Sequence, residues 1–289
     1  MSEQITYPLD LQSIVDNQSV TELQLIMDKV VDIASQAAER IINIYLDDRF
    51  DIQLKSDRTP VTQADLQAHH LIVDKLQQLT GDIPILSEES ASYGWQQRKL
   101  WQLYWLIDPL DGTQEFIDKN GEFTVNIALI SNGKPIMGIV QAPVLGEVYF
   151  AATGIGAFKT SATNNTQLIK VRQVPQLNGQ AEFIVAIGRG CISEQLKKFY
   201  LKLSKHKTIR LGSSLKTCLI AEGKADVYPR FGKTSEWDTA AAQCILECAG
   251  GLVSDMQLSP LKYNTKDSLL NPEFIAYGDK TISWSNYLT

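Results

Sequence analysis

The chain has 289 residues, 44% of them hydrophobic and 21% charged, with a formal net charge of −6. That length can bury a sizeable core, as one large domain or two closely packed ones. The acidic balance argues against a general nucleic-acid surface, although metal ions can still let an acidic protein bind phosphate compounds.

Residues 1 to about 20 are polar and show no periodicity, so a loose arm is expected there. From Thr21 the apolar positions Ile26, Val30, Ile33, Ala37, Ile41 and Ile44 recur every three or four residues. This predicts a long amphipathic helix ending before Asp47-Asp48. Asp57 then reads as a turn residue, and Thr59-Pro60 as an extended or turning pair. Thr62 is the expected N-cap of a helix through Leu79, with Asp65 on its dipole-favoured first turn. Ile83 to Leu86 reads as a short strand running into Ser87-Glu88-Glu89-Ser90, where only one glutamate can face a given site.

The apolar run Leu103 to Ile107 predicts a buried strand that delivers Asp108 and Asp111 to its end. Pro109 is expected to stop that strand, Asp111-Gly112 to turn, and Thr113 to cap a short helix over Gln114 to Phe116. Phe123 to Phe150 reads as an antiparallel meander, with turns at Asn132-Gly133 and Leu145-Gly146. A boundary near residue 155 would separate an N-terminal α+β half (21–155) from a C-terminal α/β half (156–289).

In the second half, strands are expected at Phe183 to Ile187, Thr208 to Leu211 and Ala225 to Tyr228. Helices are expected at Ser193 to Leu203, from Ser213-Ser214 to Glu222, and from Trp237 to Ala249, the last stopped by Gly250-Gly251. Of the four cysteines, Cys191, Cys218, Cys244 and Cys248, the last three sit in apolar helical patterns, which suits reduced core residues better than a disulfide frame. No secretory segment opens the sequence and no run nears the ~18 apolar residues of a membrane span, so a cytoplasmic protein is expected.

Asp108, Asp111 and the carbonyl of Leu110 form a hard-oxygen set of the kind Mg²⁺ prefers, and the amides of Gly112 and Thr113 open a turn where an anion is favoured. Taken singly, Asp65 and Asp238 are ordinary helix-start residues, and Lys216 and Arg230 ordinary surface cations. In their order, Glu88-Glu89, Asp108-Pro109-Leu110-Asp111-Gly112-Thr113, and Trp237-Asp238 with Ala240 to Ala242 and Gly250-Gly251 resemble the inositol monophosphatase superfamily of Mg²⁺-dependent, lithium-sensitive phosphatases. Thr59 to Asp65, Asn120 to Asn126, Gly212 to Lys216, Ala225 to Gly232, Pro260 to Tyr263 and Leu270 to Pro272 resemble its 3′(2′),5′-bisphosphate nucleotidase branch.

The resemblance implies a layered αβαβα sandwich, an α+β or α/β fold, that hydrolyses adenosine 3′,5′-bisphosphate, a small-molecule substrate, to AMP and phosphate. It assigns Glu88, Asp108 and the Leu110 carbonyl to one Mg²⁺, and Asp108, Asp111 and Asp238 to a second. Asp65 becomes an outer ligand or holds a third ion. Thr113, with Glu88 or Asp57, would activate the attacking water. Glu88, Asp111, Gly112, Thr113, Gln114, Ser213, Lys216, Arg230 and Asp238 would contact substrate. The resemblance also leaves open a homodimer and peripheral contact with the inner membrane face.

Two positions depart from the branch: Gln114 stands where a basic residue is usual, and Gly188-Arg189-Gly190-Cys191 stands where Ser-Arg-Ser-His is usual. An inositol or fructose phosphatase is therefore the alternative reading, with a catalytically silent metal-binding regulator behind it.

Overall fold

The computed structural model describes residues 9–17, 19–47, 52–54, 60–90, 93–177, 180–203 and 205–288. In chain order the first part holds α1 (Leu11–Asp16), α2 (Val20–Leu46), the ribbon β1 (Ile52–Leu54) and β2 (Pro60–Thr62), α3 (Gln63–Thr80) and β3 (Ile85–Ser87). Next come α4 (Trp95–Arg98), β4 (Leu103–Asp111), α5 (Thr113–Ile117) and β5 (Thr124–Ser131). The meander continues through β6 (Lys134–Ala142), β7 (Glu147–Ala152), β8 (Gly156–Thr160) and β9 (Thr166–Leu168). The remainder is β10 (Gln176–Leu177), β11 (Gln180–Ile187), α6 (Glu194–Lys202), β12 (Lys205–Arg210) and α7 (Leu215–Ala221). It closes with β13 (Val227–Arg230), α8 (Ala240–Cys248), β14 (Leu252–Asp255), β15 (Phe274–Tyr277) and α9 (Ser285–Leu288).

The seven strands β3 to β9 lie in sequence order in one sheet, parallel only at β3–β4. The second sheet runs β10-β11-β13-β15-β14, with β12 also on β11. Their central strands are buried on two faces, and β4 shows how. Trp105 and Ile107 enter the core shared with α2 and α3, while Tyr104 and Leu106 enter the core shared with α7 and α8. A strand covered on both faces reads as a continuous apolar run because neither set of alternate side chains meets water. In β11 the same alternation sends Ala186 toward α7 and α8, and Phe183 and Val185 toward α6 and α9. The result is five layers, α-β-α-β-α.

Packing between layers is close where side chains are small. A Cβ on Gly138 of β6 would lie 2.3 Å from the carbonyl oxygen of Ala241, so α8 rests on the strand backbone through its Ala240–Ala242 run. The β5–β6 hairpin turns on Asn132 (φ 49°) and Gly133 (φ 75°), the left-handed pair that matches strand twist.

Three expectations need correction. Residues 11–16 are helical rather than loose, because Leu11 and Ile14 bury against the first core. The sequence shows no period there since one and a half turns carry only two inward positions. Pro109 does not end its strand: β4 runs to Asp111 through an irregularity. The expected Trp237–Ala249 helix breaks into a 3₁₀ turn, Glu236–Asp238, and α8. The turn between β7 and β8, near residue 155, joins two strands of one sheet. All four cysteines are free thiols, and no described helix is long and apolar enough to cross a membrane.

Candidate active site

Asp108 and Asp111 are three residues apart, and on a regular strand they would face opposite sides of the sheet. Asp108 pairs with Asn126 and Asp111 with Thr124, so Pro109 and Leu110 together oppose Val125 alone. That one-residue bulge turns both carboxylates toward the same edge, and it accommodates a proline because its backbone nitrogen sits out of the ladder. Gly112 follows at φ 96°, a left-handed position that lets α5 start immediately.

Oxygens of Glu88, Asp108 and Asp238 lie within 4.8 Å of one another. Glu88 comes from the 3₁₀ turn after β3, and Asp238 from the turn before α8, where its Oδ2 accepts the Ser235 N–H at 2.8 Å. Burial pushes Asp108 well above the usual carboxylate range, and the charges of Glu88, Asp111 and Asp238 push it further. Asp238 is raised in the same way, first by burial and then by Asp111. Asp111 is pushed up to about 6 by burial, although Lys216 and the Ser214 N–H pull it back. Carboxylates at that spacing fit a hard divalent ion, which would restore the charged forms of Asp108, Asp111 and Asp238. Leu110 contributes its N–H to Asp108 Oδ1 at 3.0 Å, and the adjoining carbonyl stays a candidate ligand.

Asp65 is buried at the start of α3, where its Oδ2 accepts the Thr62 N–H at 2.8 Å and the Thr62 hydroxyl at 2.6 Å. Its other oxygen accepts the Thr113 hydroxyl at 3.2 Å. Burial raises its pKa. Gly112 is the N-cap of α5, so Thr113 is its first residue rather than its cap, and the Thr113 hydroxyl donates to Asp65. Asp57 lies outside the described residues.

Beside the carboxylates opens a cavity of about 250 Å³, bordered by Asp111, Glu115, Arg189, Lys216 and Arg230. Lys216 is buried and its pKa falls to about 8, through burial and despite Asp111. Its ammonium lies 5.2 Å from the ring centre of Tyr228 and donates to the Leu211 carbonyl at 3.3 Å. Ser213 and Gly112 also line this space, and the Ser213 hydroxyl is buried without a partner among the described residues. Gln114, in contrast, faces solvent and bonds Asp118 at 2.8 Å, and the cavity receives its neighbour Glu115. A five-residue helix is too short for periodicity to tell which of two adjacent residues points inward.

Sequence reasoning also missed the bracing of Asp111. The Ser214 N–H donates to Asp111 Oδ2 at 2.7 Å, while the Ser214 hydroxyl bonds Asn126 at 2.8 Å and Thr124 at 2.9 Å. Glu122 joins Arg189 to the Gly212 N–H (2.8 Å), and Arg189 holds its carboxyl below the usual range. These partners lie inside segments the sequence singles out, but nothing in the sequence pairs them.

A five-layer α/β fold thus sets a carboxylate cluster with the spacing of a divalent-cation site at a strand bulge, beside a cavity edged by cations. The Inositol monophosphatase family model matches residues 22–281. The chain belongs to that family. It is 47% identical over 249 residues to the 3′(2′),5′-bisphosphate nucleotidase CysQ of Escherichia coli K12, covering 86% of this chain and 98% of that one. It is 45% identical over 249 residues to the CysQ of Salmonella typhimurium, with the same coverage. Among solved structures it is similar to CysQ from Bacteroides thetaiotaomicron, with a TM-score of 0.76 and 38% identity over 88% of this chain and 97% of that chain.

Proposed function

We propose that this protein is a Mg²⁺-dependent phosphatase that converts adenosine 3′,5′-bisphosphate to AMP and phosphate, with the 5′-phosphosulfate analogue as a further substrate. The observation that carries the reading is a cavity with two unlike ends: carboxylates at one, and Lys216 and Arg230 at the other. A monophosphate needs only the first end. A bisphosphate uses both, because charge-assisted contacts from the cations reach its second phosphate. Resemblance to the named nucleotidases over nearly their whole length supports the same reading.

Glu88, Asp108, Asp111 and Asp238, with the Leu110 carbonyl, would hold two Mg²⁺ ions. When bound, Mg²⁺ supplies positive charge for the phosphate oxygens and acidifies water. The chain's own residues do the rest. Thr113 donates to Asp65, so its oxygen is left free to accept a proton from the attacking water as its own proton passes to Asp65. Asp65 suits that task because burial has raised its proton affinity. The amides of Gly112 and Thr113 orient the phosphate, and Asp238 faces it from the second half of the chain. A third ion at Asp65 is not required by this scheme.

Phosphate release measured across a substrate panel at fixed Mg²⁺ tests the proposal. Adenosine 3′,5′-bisphosphate should exceed inositol 1-phosphate in kcat/KM by at least about tenfold, the loss that accompanies one missing contact to a charged group. Lys216→Ala should shrink that preference. Equal values on the wild type would leave only the family's general phosphatase chemistry.

A further inference from the structure

The carboxylate of Glu115 stands in the cavity with no chemical task in the scheme above. Its placement is built into the fold. A Cβ on Gly112 would come within 3.2 Å of Glu115 Oε2, and a Cβ on Gly212 within 2.9 Å of its Cγ. Two glycines from opposite halves of the chain thus leave the slot through which this side chain enters. No described residue donates a hydrogen bond to its carboxylate, and it lies near enough to Lys216 and Arg189 to act on both electrostatically. A further negative charge beside an anion site opposes substrate binding unless the substrate brings a donor to it.

Glu115 Oε2 sits over Gly112, one residue from Asp111, so the donor must lie within a bond or two of the phosphate held there. On a sugar phosphate that donor is the hydroxyl of the neighbouring carbon. We propose that Glu115 is a specificity-determining residue that accepts a hydrogen bond from the hydroxyl adjacent to the scissile phosphate. The inference rests on the nucleotidase reading, in which this group is the ribose 2′-hydroxyl. The same carboxylate repels a second phosphate at that position and directs it toward Lys216 and Arg230, so one residue supplies attraction and exclusion together.

The test compares kcat/KM for adenosine 3′,5′-bisphosphate, its 2′-deoxy analogue and inosine 3′,5′-bisphosphate at saturating Mg²⁺. Wild type, Glu115→Gln and Glu115→Ala are assayed. The wild type should favour the ribose over the deoxyribose substrate by about tenfold or more, as expected for one hydrogen bond to a charged group. Glu115→Gln, nearly isosteric, should keep part of that ratio, and Glu115→Ala should bring it to within about twofold of unity. Equal use of both sugars by the wild type, or an undiminished ratio in Glu115→Ala, overturns the inference. So does an effect of the substitution confined to inosine, which would place Glu115 against the base. Turnover of none of these nucleotides by a wild type that hydrolyses inositol 1-phosphate overturns the nucleotidase reading itself.

Discussion

Asp111→Asn should make the metal-free protein more stable while abolishing its activity. The Asp111 carboxyl titrates at about 6 in the folded chain against an ordinary value of 3.8. A raised folded pKa means that the folded state binds the proton more tightly. Stability is then fully present below 3.8 and is lost as pH rises through 6. At about 1.4 kcal/mol per pH unit the full loss is about 3 kcal/mol, and roughly half of it develops between pH 5 and pH 7.5. Asparagine carries no charge and still offers an oxygen to the Ser214 N–H.

The assay is chemical denaturation in excess chelator at pH 5 and pH 7.5, wild type against variant. The variant should lead by about 3 kcal/mol at pH 7.5, with the gap near half that at pH 5. Glu236, raised to about 7 by burial, and His69, lowered from its ordinary value by burial, are buried titratable groups outside the cluster. They are common to both proteins and cancel in the difference, whereas loss of the Asp111 charge also relieves Asp108 and Asp238 and adds to the variant's lead. Mg²⁺ should then raise the midpoint of the wild type more than that of the variant, since only a ligand bound to the folded state stabilises it. A variant less stable than wild type at pH 7.5, or a gap that does not narrow toward pH 5, would refute the claim that burial and like charge oppose Asp111.

Two further changes probe separate links. Thr113→Val keeps the shape and removes the hydroxyl given to Asp65, so kcat should fall by about 10²–10⁴ with KM nearly unchanged. A raised KM at constant kcat would make Thr113 a binding residue. Gly138→Ala places a methyl 2.3 Å from the Ala241 carbonyl and should cost about 1–3 kcal/mol in denaturation, whereas an unchanged midpoint would show that α8 does not rest on the strand backbone as described.

The parts of this fold legible in the sequence are those where one element repeats a pattern. The apolar spacing from Ile26 to Ile44 marks α2, and Thr62 marks the start of α3, where its hydroxyl takes the Ala64 N–H. The carboxylates were legible as a set because their types and order match a family. Their partners were not, since each partnership joins distant residues: Thr113 meets Asp65 across 48 positions and Ser214 meets Asp111 across 103. The bulge was illegible for a related reason. Pro109 excludes a regular ladder, but only the pairing of β4 with β5 decides between ending the strand and bending it. Gln114 was singled out over Glu115 because the family pattern, not α5 geometry, directed attention there.

The layer order explains why Asp111 sits between the carboxylate cluster and the cations of the cavity. Glu88, Asp108 and Asp111 all come from the ends of β3 and β4 in the first sheet, while Ser214, Lys216 and Asp238 come from the middle helix layer and Arg230 from the second sheet. Asp111 lies between them and takes the Ser214 N–H from the turn that opens α7. The same helix carries Lys216, whose charge is among the forces that lower the Asp111 pKa. A cation on the carboxylates would therefore act on the cavity as well as on the cluster: by neutralising Asp111 it would weaken the attraction that Lys216 feels from that side. Lys216 would then be the freer to meet a second phosphate. Metal and bisphosphate should accordingly bind with mutual reinforcement, and Lys216→Ala should reduce that reinforcement in a calorimetric titration of the nucleotide with and without Mg²⁺.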